Sequence, residues 1–369
     1  MPVSLCVVQL VPNLSSGGVE RSTLEISRAL VAAGHRSVVV SGGGRLVAQL
    51  QAEGGEHECL DIGRKSLSSV RHVFGLRRLF ARLRPDIVHA RSRLPAWLAQ
   101  YALASLSAPR PHFVTTAHGL NSPGRYSAIM SRGERVIAVS NTVRDWLLQH
   151  YPVDPARVVV IPRGIDPVDF PYGHRPDEAW QAQFRAEFPQ LTGAPLLTLP
   201  GRGTRLKGHH DAVELLAGLK ARGVPARLLL LGMVEPGREA YLAEVEALAQ
   251  ARGVSDWVAF SPARQDVRDV YAHSALVLQL SNKPEAFGRT VVEALALCRP
   301  VLGYAHGGVG ELLAELYPAG RVPPRDTARL VERAAELLRL APAVPPLSSY
   351  RLVDMQQATL ALYSSLARR

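Results

Sequence analysis

The segment ALVLQLSNKPEAFGRTVVEALALCRPVLG, residues 275–303, indicates the class of the fold. It begins with an apolar run at Ala275–Leu280, continues with helical spacing at Thr290–Leu297 and returns to an apolar run at Pro300–Gly303. Short buried strands joined by a helix are typical of a right-handed βαβ unit, whose two strands lie parallel in one sheet. The segment therefore predicts an α/β domain with a parallel sheet.

The same alternation of apolar runs and helical patterns extends over most of the chain. The other predicted strands are Leu5–Leu10, Ser37–Ser41, Asp86–His89, Phe113–Ala117, Val136–Val139, Val158–Ile161, Pro195–Pro200, Arg227–Leu231 and Trp257–Phe260. Helical spacing recurs at Glu20–Ala33, Val70–Leu83, Leu94–Leu106, Thr142–His150 and Tyr350–Arg369. Strands separated by helices of this length predict two doubly wound α/β domains of the Rossmann-like type.

A break in this pattern predicts the boundary between the two domains. The segment PRGIDPVDFPYGHRPDE, residues 162–178, is rich in proline and aspartate and has no apolar periodicity. We therefore expect a Rossmann-like first domain in residues 1–170 and a second in residues 171–348. Residues 349–369 are expected to form a C-terminal helix that packs back toward the first domain.

Composition narrows the class of protein. Hydrophobic residues make up 47% of the 369 residues and charged residues 20%, which is typical of a chain with a large core. No apolar run reaches the roughly 18 residues that a membrane-spanning helix needs, and the N-terminus reads as a first strand rather than a signal peptide. The cysteines Cys6, Cys59 and Cys298 are scattered, which favours a reducing cytoplasmic location over a disulfide framework or a structural zinc.

The positive charge of the chain is concentrated in one stretch. The net charge is +11, and residues 1–170 contribute 20 basic and 12 acidic residues, a net +8. Residues 64–93 contain one acidic residue, Asp86, and nine basic residues, namely Arg64, Lys65, Arg71, Arg77, Arg78, Arg82, Arg84, Arg91 and Arg93. This local excess favours an anionic partner: a phosphorylated substrate, an anionic membrane or nucleic acid. Nucleic acid is not expected, because no nucleic-acid-binding module is recognisable.

A glycine pair follows the first predicted strand. Gly17 and Gly18 precede a helix, where glycine lets the backbone approach a ligand and the exposed N–H groups attract an anion. A plain strand-to-helix turn is the structural alternative. The spacing is not that of the dinucleotide-binding fingerprint.

A basic, glycine-rich loop follows the first strand of the second domain. The segment GRGTRLKG, residues 201–208, carries Arg202, Arg205 and Lys207. Basic side chains beside flexible backbone suit a diphosphate, to which arginine offers a planar fork and lysine a point charge. The alternative is a solvated basic loop, and the residue order is not that of a P-loop.

Two glutamates in the opening segment are further candidates for ligand binding. Glu285 is predicted in the loop after Ala275–Leu280, and Glu293 in the first turn or so of the following helix. Carboxylates accept hydrogen bonds from hydroxyl groups, and the N–H groups of residues 287–290 can donate to oxygens between them. A polyhydroxylated ligand therefore suits both side chains. The alternative is two solvated glutamates, one of them favoured by the helix dipole.

Taken in order along the chain, these segments resemble one enzyme family. Gly17-Gly18, VTTAHG with His118, PRGID at the domain link, GRGTRLKG and PEAFGRTVVEAL resemble the GT-B fold retaining glycosyltransferases of glycosyltransferase family four. That family includes enzymes of sucrose and lipopolysaccharide synthesis. The resemblance covers residues 3 to 340 and is most specific at the Glu-x7-Glu block. Two features depart from it, because Arg163 stands where asparagine is usual and Tyr304-Ala305-His306 replaces a small polar run.

The resemblance implies a GT-B fold, in which two Rossmann-like doubly wound domains face a central cleft. It also implies transfer of a sugar from a nucleotide diphosphate sugar with retention of anomeric configuration. UDP is the expected carrier and GDP the next. The expected acceptor is a hydroxyl of a glycan or phosphorylated glycolipid, such as lipopolysaccharide or another cell-surface polysaccharide. We expect no cofactor and no metal.

The same resemblance assigns roles to individual residues. Arg202 and Lys207 would hold the diphosphate and stabilise the leaving group. Glu293 would accept from the ribose hydroxyls, Glu285 would lie near the donor sugar, and His118 would lie by its reacting face. The other expected donor contacts are Gly17, Gly18, Phe287, Gly288, Arg289 and Thr290. The expected catalytic residues are His118, Arg202, Lys207 and Glu285.

Histidines also have a structural interpretation. A lone histidine after a strand, such as His118, is commonly a structural hydrogen-bonding group. The other histidines near these motifs are expected to be structural and show no metal-ligand spacing: His89, His209, His210 and His306.

Two other functions stay open at the level of sequence. One is a nucleotide-sugar 2-epimerase-like enzyme on the same two-domain plan. The other is a non-enzymatic anion-binding protein, which only the net charge suggests. An epimerase would convert a nucleotide sugar without any acceptor, and a binding protein would convert none.

The helical pattern at Val70–Arg84 predicts a further surface. Its apolar stripe comprises Val73, Leu76, Phe80 and Leu83. Arg71, Arg78 and Arg82 recur at spacings that place them on another face. We expect this basic face to bring the protein to the anionic inner face of the cell membrane as a peripheral protein. The alternative is a helix that covers the sheet and exposes solvated arginines.

Overall fold

The computed structural model describes residues 4–15, 17–64 and 66–367. The chain divides into two compact units, of which the first comprises Met1–Gly164 together with Arg351–Arg369. The second unit is Ile165–Tyr350. The chain therefore enters the second unit after Gly164, whereas the sequence pattern placed the boundary after residue 170.

The first unit is built on a seven-stranded parallel sheet with the order β3-β2-β1-β4-β5-β6-β7. Its strands are β1 (Cys6–Leu10), β2 (Arg36–Ser41), β3 (Glu56–Cys59), β4 (Ile87–Ala90), β5 (His112–Ala117), β6 (Arg135–Ala138) and β7 (Val158–Val160). Its helices up to this point are α1 (Gly18–Ala32), α2 (Val47–Ala52), α3 (Arg71–Leu83), α4 (Arg93–Ala104) and α5 (Asn141–His150). The strand order reverses between β1 and β4.

The second unit repeats this plan with a six-stranded parallel sheet in the order β10-β9-β8-β11-β12-β13. Its strands are β8 (Leu196–Pro200), β9 (Arg227–Leu231), β10 (Val258–Ser261), β11 (Leu276–Gln279), β12 (Val301–Tyr304) and β13 (Arg321–Val322). Its helices are α6 (Glu178–Glu187), α7 (His209–Ala221), α8 (Glu239–Ala251), α9 (Val267–His273), α10 (Arg289–Ala296), α11 (Gly307–Leu316) and α12 (Thr327–Leu340). Two Rossmann-like α/β domains are thus confirmed.

Each strand that the sequence predicted is present to within a residue or two at its ends. Two strands were missed, β3 and β13, and both lie at the edge of a sheet. The β3 sequence EHEC is polar and partly exposed, and β13 has only two residues. An edge strand is covered less than a central one, so it lacks the apolar run on which the prediction depended.

Helices cover both faces of the first sheet. On one face α3 and α4 bury Leu76, Phe80 and Ala99 against Val8 and Val88 of the sheet. The apolar stripe predicted on α3 therefore packs into the core of the protein, as expected for a helix that covers the sheet.

The opposite face of this sheet is closed by the last helix, α13 (Leu352–Ala367). Leu352, Met355 and Leu366 join one apolar cluster with Val7 and Ile87 of the sheet. The hydroxyl of Tyr363 is fully buried and lies 2.6 Å from Nδ1 of His89. The C-terminal residues thus complete the core of the first unit.

No helix among the described residues combines the length and apolar character needed to cross a membrane.

Candidate functional site

The candidate site in the second unit lies where the strand order of its sheet reverses. Strands β8 and β11 are hydrogen-bonded neighbours, with Leu276 opposite Leu197 and Val277 opposite Thr198. Because the two strands are parallel, the loops that follow them leave the same edge of the sheet. In doubly wound folds, ligands bind beyond the carboxyl ends of the strands at this point. The basic loop and the Glu285 loop are those two loops.

Backbone contacts join the two loops directly. The N–H of Asn282 donates to the carbonyl of Leu206 at 2.8 Å, and the Asn282 amide donates to the carbonyl of Arg205 at 3.0 Å. Gly208 ends the basic loop with φ of 77°, and a Cβ there would collide with the carbonyl oxygen of Leu280. Glycine is therefore required at this position, both for the left-handed backbone and for the close approach of the loops.

This junction brings Lys207 and Glu285 together. The Lys207 ammonium Nζ lies 2.5 Å from Oε1 of Glu285, and both side chains are partly buried. The Ser281 hydroxyl donates to the same carboxylate oxygen, and the Gln279 amide lies 3.4 Å from the other oxygen. Two residues chosen independently from the sequence thus form one charged pair beyond β8 and β11.

The two arginines of the basic loop differ in their contacts. Arg205 pairs with Glu244 of α8 and lies over the ring of Tyr241, with its guanidinium carbon 5.1 Å from the ring centroid. Arg202 is exposed, and its side chain makes no hydrogen bond or ion pair with the residues that the structure describes. Arg202 is therefore the arginine of this loop that can receive an anion without giving up a partner.

Helix α10 begins directly after the Glu285 loop and carries Glu293. Gly288 caps the helix with φ of 110°, a conformation that favours glycine. Glu293 is only 8% exposed, and its Oε1 accepts a hydrogen bond from Nε of Arg289 at 3.0 Å. The sequence prediction placed Glu293 in the first turn or so of this helix. The helix starts at Arg289, so Glu293 lies in the second turn and shares its carboxylate with Arg289.

The glycine pair at the start of α11 holds the Glu285 loop in place, a role that the sequence prediction did not assign. The N–H of Gly308 donates to the carbonyl of Glu285 at 2.8 Å. A Cβ at Gly308 would lie 2.6 Å from the backbone of Phe287, and one at Gly307 would lie 2.7 Å from the Glu285 carbonyl. The adjacent glycines in the sequence were the only signal of this close backbone packing.

His209 anchors the basic loop from beneath. Its ring is fully buried, and Nδ1 lies 3.4 Å from the hydroxyl of Tyr241 on α8. Burial lowers the pKa of His209 to about 4, and the charges of His210 and Lys207 act in the same direction. The backbone groups of Gly201 and Thr204 face the ring and oppose this shift to a smaller extent. A neutral His209 is thus part of the folded loop, in agreement with the structural role expected from the sequence.

In the first unit, His118 follows β5 and is held by Arg163. Nη2 of Arg163 lies 2.6 Å from Nδ1 of His118, and Nη1 donates to the carbonyl of Gly18 at 2.6 Å. Gly17 caps α1 with φ of 133°. Burial, followed by the charge of Arg163, holds the pKa of His118 well below its usual value. The sequence prediction named His118 and the two glycines but saw Arg163 only as a departure from the resemblance.

The remaining histidines near these motifs have structural contacts. His89 is buried with its two ring nitrogens 2.6 Å from Tyr363 and Thr116. Nε2 of His306 lies 2.8 Å from the carbonyl of Ser281. Within the described ranges, no group of three or more His, Cys, Asp or Glu side chains is arranged to hold a metal ion.

Comparison with known families identifies both halves of the chain. The family described as Glycosyltransferase Family 4 matches residues 16–169. The family described as Glycosyl transferases group 1 matches residues 181–345. The two matches follow one another and coincide with the two Rossmann-like domains.

Individual proteins and solved structures agree with this result. A D-inositol 3-phosphate glycosyltransferase of Frankia alni is 29% identical over 277 residues, covering 69% of this chain and 66% of the relative. A glycosyltransferase structure from Rickettsia africae has a TM-score of 0.83, 26% identity and 99% coverage of both chains. Anabaena HepE in complex with UDP-glucose has a TM-score of 0.77 and 19% identity, covering 98% of this chain and 100% of HepE. The chain spans about half to two thirds of the length of its first curated relatives.

The two parallel sheets, with their loops at the strand-order reversals, and these matches show the GT-B fold of glycosyltransferases. Residues 16–169 match one glycosyltransferase family and residues 181–345 another, so each half of the chain is similar to a domain of such enzymes.

The buried His209 predicts a pH-dependent stability. Between pH 6.5 and pH 4 the unfolded chain binds a proton at His209 that the folded chain does not bind, so stability falls as the pH falls. From pH 7.5 to pH 5, wild type should lose roughly 2 kcal/mol more unfolding free energy than His209→Asn. Urea unfolding at several pH values measures this difference. An unchanged slope in His209→Asn would contradict the assignment.

Proposed function

We propose that this protein transfers a sugar from a nucleotide diphosphate sugar to a hydroxyl of a glycan or phosphorylated glycolipid, with retention of anomeric configuration and without a divalent metal. The observation that carries the proposal is the pairing of Lys207 with Glu285 beyond β8 and β11. A cation and a hydrogen-bond acceptor at one point suit a ligand that carries both phosphate and hydroxyl groups.

The diphosphate of the donor would be bound by Arg202 and Lys207. Glycosyl transfer breaks the bond between the sugar and the diphosphate, and negative charge develops on the departing phosphate oxygen. Fixed cations at that oxygen stabilise the charge as it forms. Arg202 is exposed, and Lys207 is 28% exposed in its side chain, so both are accessible to an anion. These two cations would take the place of a metal ion.

The sugar parts of the donor would be bound by carboxylates and backbone groups. Glu293 would accept from the ribose hydroxyls, and Glu285 would accept from the transferred sugar. The first N–H groups of α10, near Phe287, Gly288, Arg289 and Thr290, would donate to sugar or phosphate oxygens. In the first unit, Gly17, Gly18 and His118 are proposed as further donor contacts, with His118 at the reacting face of the sugar.

The proposed carrier nucleotide is based on a structural neighbour, and the proposed acceptor is based on the curated relatives and on the charge of the first unit. Anabaena HepE was solved with UDP-glucose, so UDP-sugars are the first donors to test and GDP-sugars the second. The curated relatives act on D-inositol 3-phosphate, a phosphorylated acceptor. The excess of basic residues in the first unit is suited to a phosphorylated acceptor of this kind, including a lipopolysaccharide core.

The donor site predicts two separable mutant phenotypes. Glu293→Ala should weaken binding of the nucleotide by roughly 10- to 150-fold, because a hydrogen bond to a charged group contributes about 1.5–3 kcal/mol. Lys207→Ala should mainly lower kcat, because its contact strengthens as the leaving group forms. Calorimetric titration with UDP and GDP, followed by kinetics with the matching sugar nucleotide, measures both effects.

Matched controls lie on helix α7 of the same unit. Lys220 donates to the carbonyl of Gly253, and Glu214 pairs with Arg252. Lys220→Ala and Glu214→Ala remove the same kinds of side chain and should keep wild-type binding and kcat. If both site variants behaved like these controls, the assigned donor site would be wrong. Conversion of a UDP-sugar without any acceptor would instead favour the epimerase alternative.

The chemistry of the product is a second, independent prediction. The new glycosidic bond should have the anomeric configuration of the donor, a prediction that rests on the resemblance of the Glu-x7-Glu block. Turnover should persist in EDTA, because Arg202 and Lys207 supply the positive charge. Proton NMR of freshly formed product gives the configuration. An inverted product would rule out retention, and activity lost in chelator and restored by magnesium would rule out metal independence.

We also propose that α3 brings the protein to the anionic cytoplasmic face of the cell membrane. The apolar stripe of α3 faces the core, but Val70 and Phe74 at its start remain 63% and 60% exposed. Arg71 and Arg78 are exposed beside them without ion pairs to described residues, whereas Arg82 donates to Glu58 at 2.5 Å. Exposed apolar side chains next to arginines without ion pairs to described residues are suited to binding an anionic lipid surface. Lys65, which belongs to the same basic stretch, lies outside the described residues.

This surface can be tested with vesicles. Changing Arg71, Arg78 and Arg82 together to Gln should lower binding to anionic vesicles several-fold at low salt, because each basic residue near the surface contributes about 1 kcal/mol. Binding of UDP should not change. The control variant changes the exposed Arg222, Arg238 and Arg339 of the second unit to Gln and removes the same charge. Equal vesicle binding by both triple variants in sedimentation assays would return α3 to a purely structural role.

A further inference from the structure

Arg163 connects two separate segments of the first unit. It follows β7 and is 7% exposed. One nitrogen of its guanidinium donates to the carbonyl of Gly18, the first residue of α1, and another lies 2.6 Å from Nδ1 of His118, directly after β5. The planar fork of arginine fixes the angle between these two contacts. One buried side chain therefore sets the position of the His118 ring relative to the Gly17-Gly18 turn.

The contact between Arg163 and His118 also fixes where the imidazole carries its proton. Arginine has five N–H donors and no acceptor. Nδ1 of His118 must therefore accept, which is possible only for a ring without a proton on that nitrogen. A neutral ring then carries its proton on Nε2. A doubly protonated ring would place an N–H donor against another donor and a positive charge against the guanidinium.

The surroundings of the ring favour the same state. The charged and titratable side chains that act on His118 are Arg163, Arg91 and His89, and all of them disfavour a second proton. A small cavity beside the ring is also lined from α1 and α13, by the uncharged side chains of Ser22, Ile26, Met355 and Thr359. Nε2 itself is buried and has no hydrogen-bond partner among the described residues. The ring thus holds one N–H donor that the fold of the described chain does not use.

We propose that Arg163 is a positioning residue that holds His118 as the neutral tautomer with its proton on Nε2, so that this N–H is kept as a donor for an oxygen of the bound sugar nucleotide. The use of the donor by the sugar nucleotide rests on the proposed function. The tautomer and the orientation of the ring rest on the contacts of Arg163 alone. In this proposal Arg163 acts through its contact with His118.

The tautomer can be measured in the free protein. In ¹⁵N-histidine-labelled protein, long-range proton–nitrogen NMR distinguishes the two neutral tautomers and the charged ring, and His118→Asn identifies the His118 signals by their loss. Wild type should show the proton on Nε2 and should gain a second proton only at a pH well below the ordinary pKa of histidine. Arg163→Gln and Arg163→Met should show a mixture of tautomers and protonation at a higher pH, because both remove the neighbouring cation. Methionine also removes the N–H donor, and the glutamine amide can either donate to or accept from the ring.

Arg91→Gln is the matched control for loss of a buried cation. Arg91 lines the same cavity, but it donates to Gln9 and Ser22 and not to His118. This variant should keep the proton of His118 on Nε2. A proton on Nδ1 in wild type, or a tautomer unchanged in both Arg163 variants, would overturn the proposal. Because the NMR measurement uses the protein without ligand, its result does not depend on whether the protein transfers sugar.

Kinetics then test the positioning role in the reaction. With saturating donor, the ratio of kcat at pH 8 to kcat at pH 6 should be about fourfold larger in Arg163→Gln than in wild type. The reason is that the pKa of His118 rises toward its ordinary value of 6.5. A ring that gains a second proton keeps the N–H on Nε2 but places a positive charge beside the sugar, which itself becomes positive during transfer. If Arg163→Gln keeps the wild-type melting temperature but loses the same fraction of kcat at every pH, the role of Arg163 is only structural.

Discussion

The parallel pairing of β8 with β11 is the interaction on which the candidate site depends. A parallel pair cannot be joined by a tight turn, so each strand must be followed by a crossover helix that returns the chain to the other end of the sheet. All loops at the carboxyl ends are therefore gathered at one edge. Because β8 and β11 are neighbours at the reversal of strand order, the helices after them diverge to opposite faces and leave the two loops side by side. The contacts of Asn282, Lys207 and Glu285 follow from that arrangement.

The class of fold could be predicted from the sequence because the central strands of a parallel sheet are buried on both faces. Strands such as β4 and β9 are read as apolar runs, and the crossovers between them are long enough for helical spacing to be seen. The edge strands β3 and β13 were not predicted, because a strand at the edge of a sheet does not need an apolar sequence. The start of α10 is set by the left-handed backbone of Gly288 rather than by a side-chain pattern, so the predicted start at Thr290 lies one residue after the observed start at Arg289.

The candidate site was predictable to the extent that charged residues lie next to strand ends. Lys207 and Glu285 are far apart in the sequence, yet each follows a strand, and the topology brings them together. Arg205 was grouped with Arg202 in the sequence prediction because both belong to one loop. In the structure, Arg205 forms an ion pair with Glu244 on helix α8. Arg163 contacts the carbonyl of Gly18 and the ring of His118, and the glycines at 307 and 308 pack against the backbone of the Glu285 loop. Such partners leave no periodic signal in the sequence, so only the structure could assign these roles.

The ion pair between Lys207 and Glu285 has a consequence for selectivity. An anion that drew Lys207 away would leave the partly buried carboxylate of Glu285 without its cation, and an unpaired charge in such a place is costly. Inorganic phosphate can satisfy the lysine, but it brings one or two negative charges beside the glutamate and only one or two P–OH donors. A ligand that presents hydroxyl groups beside its phosphate satisfies both side chains at once. If the pair binds the donor as proposed, it would discriminate against simple phosphates by the cost of separating two charges rather than by the shape of a pocket.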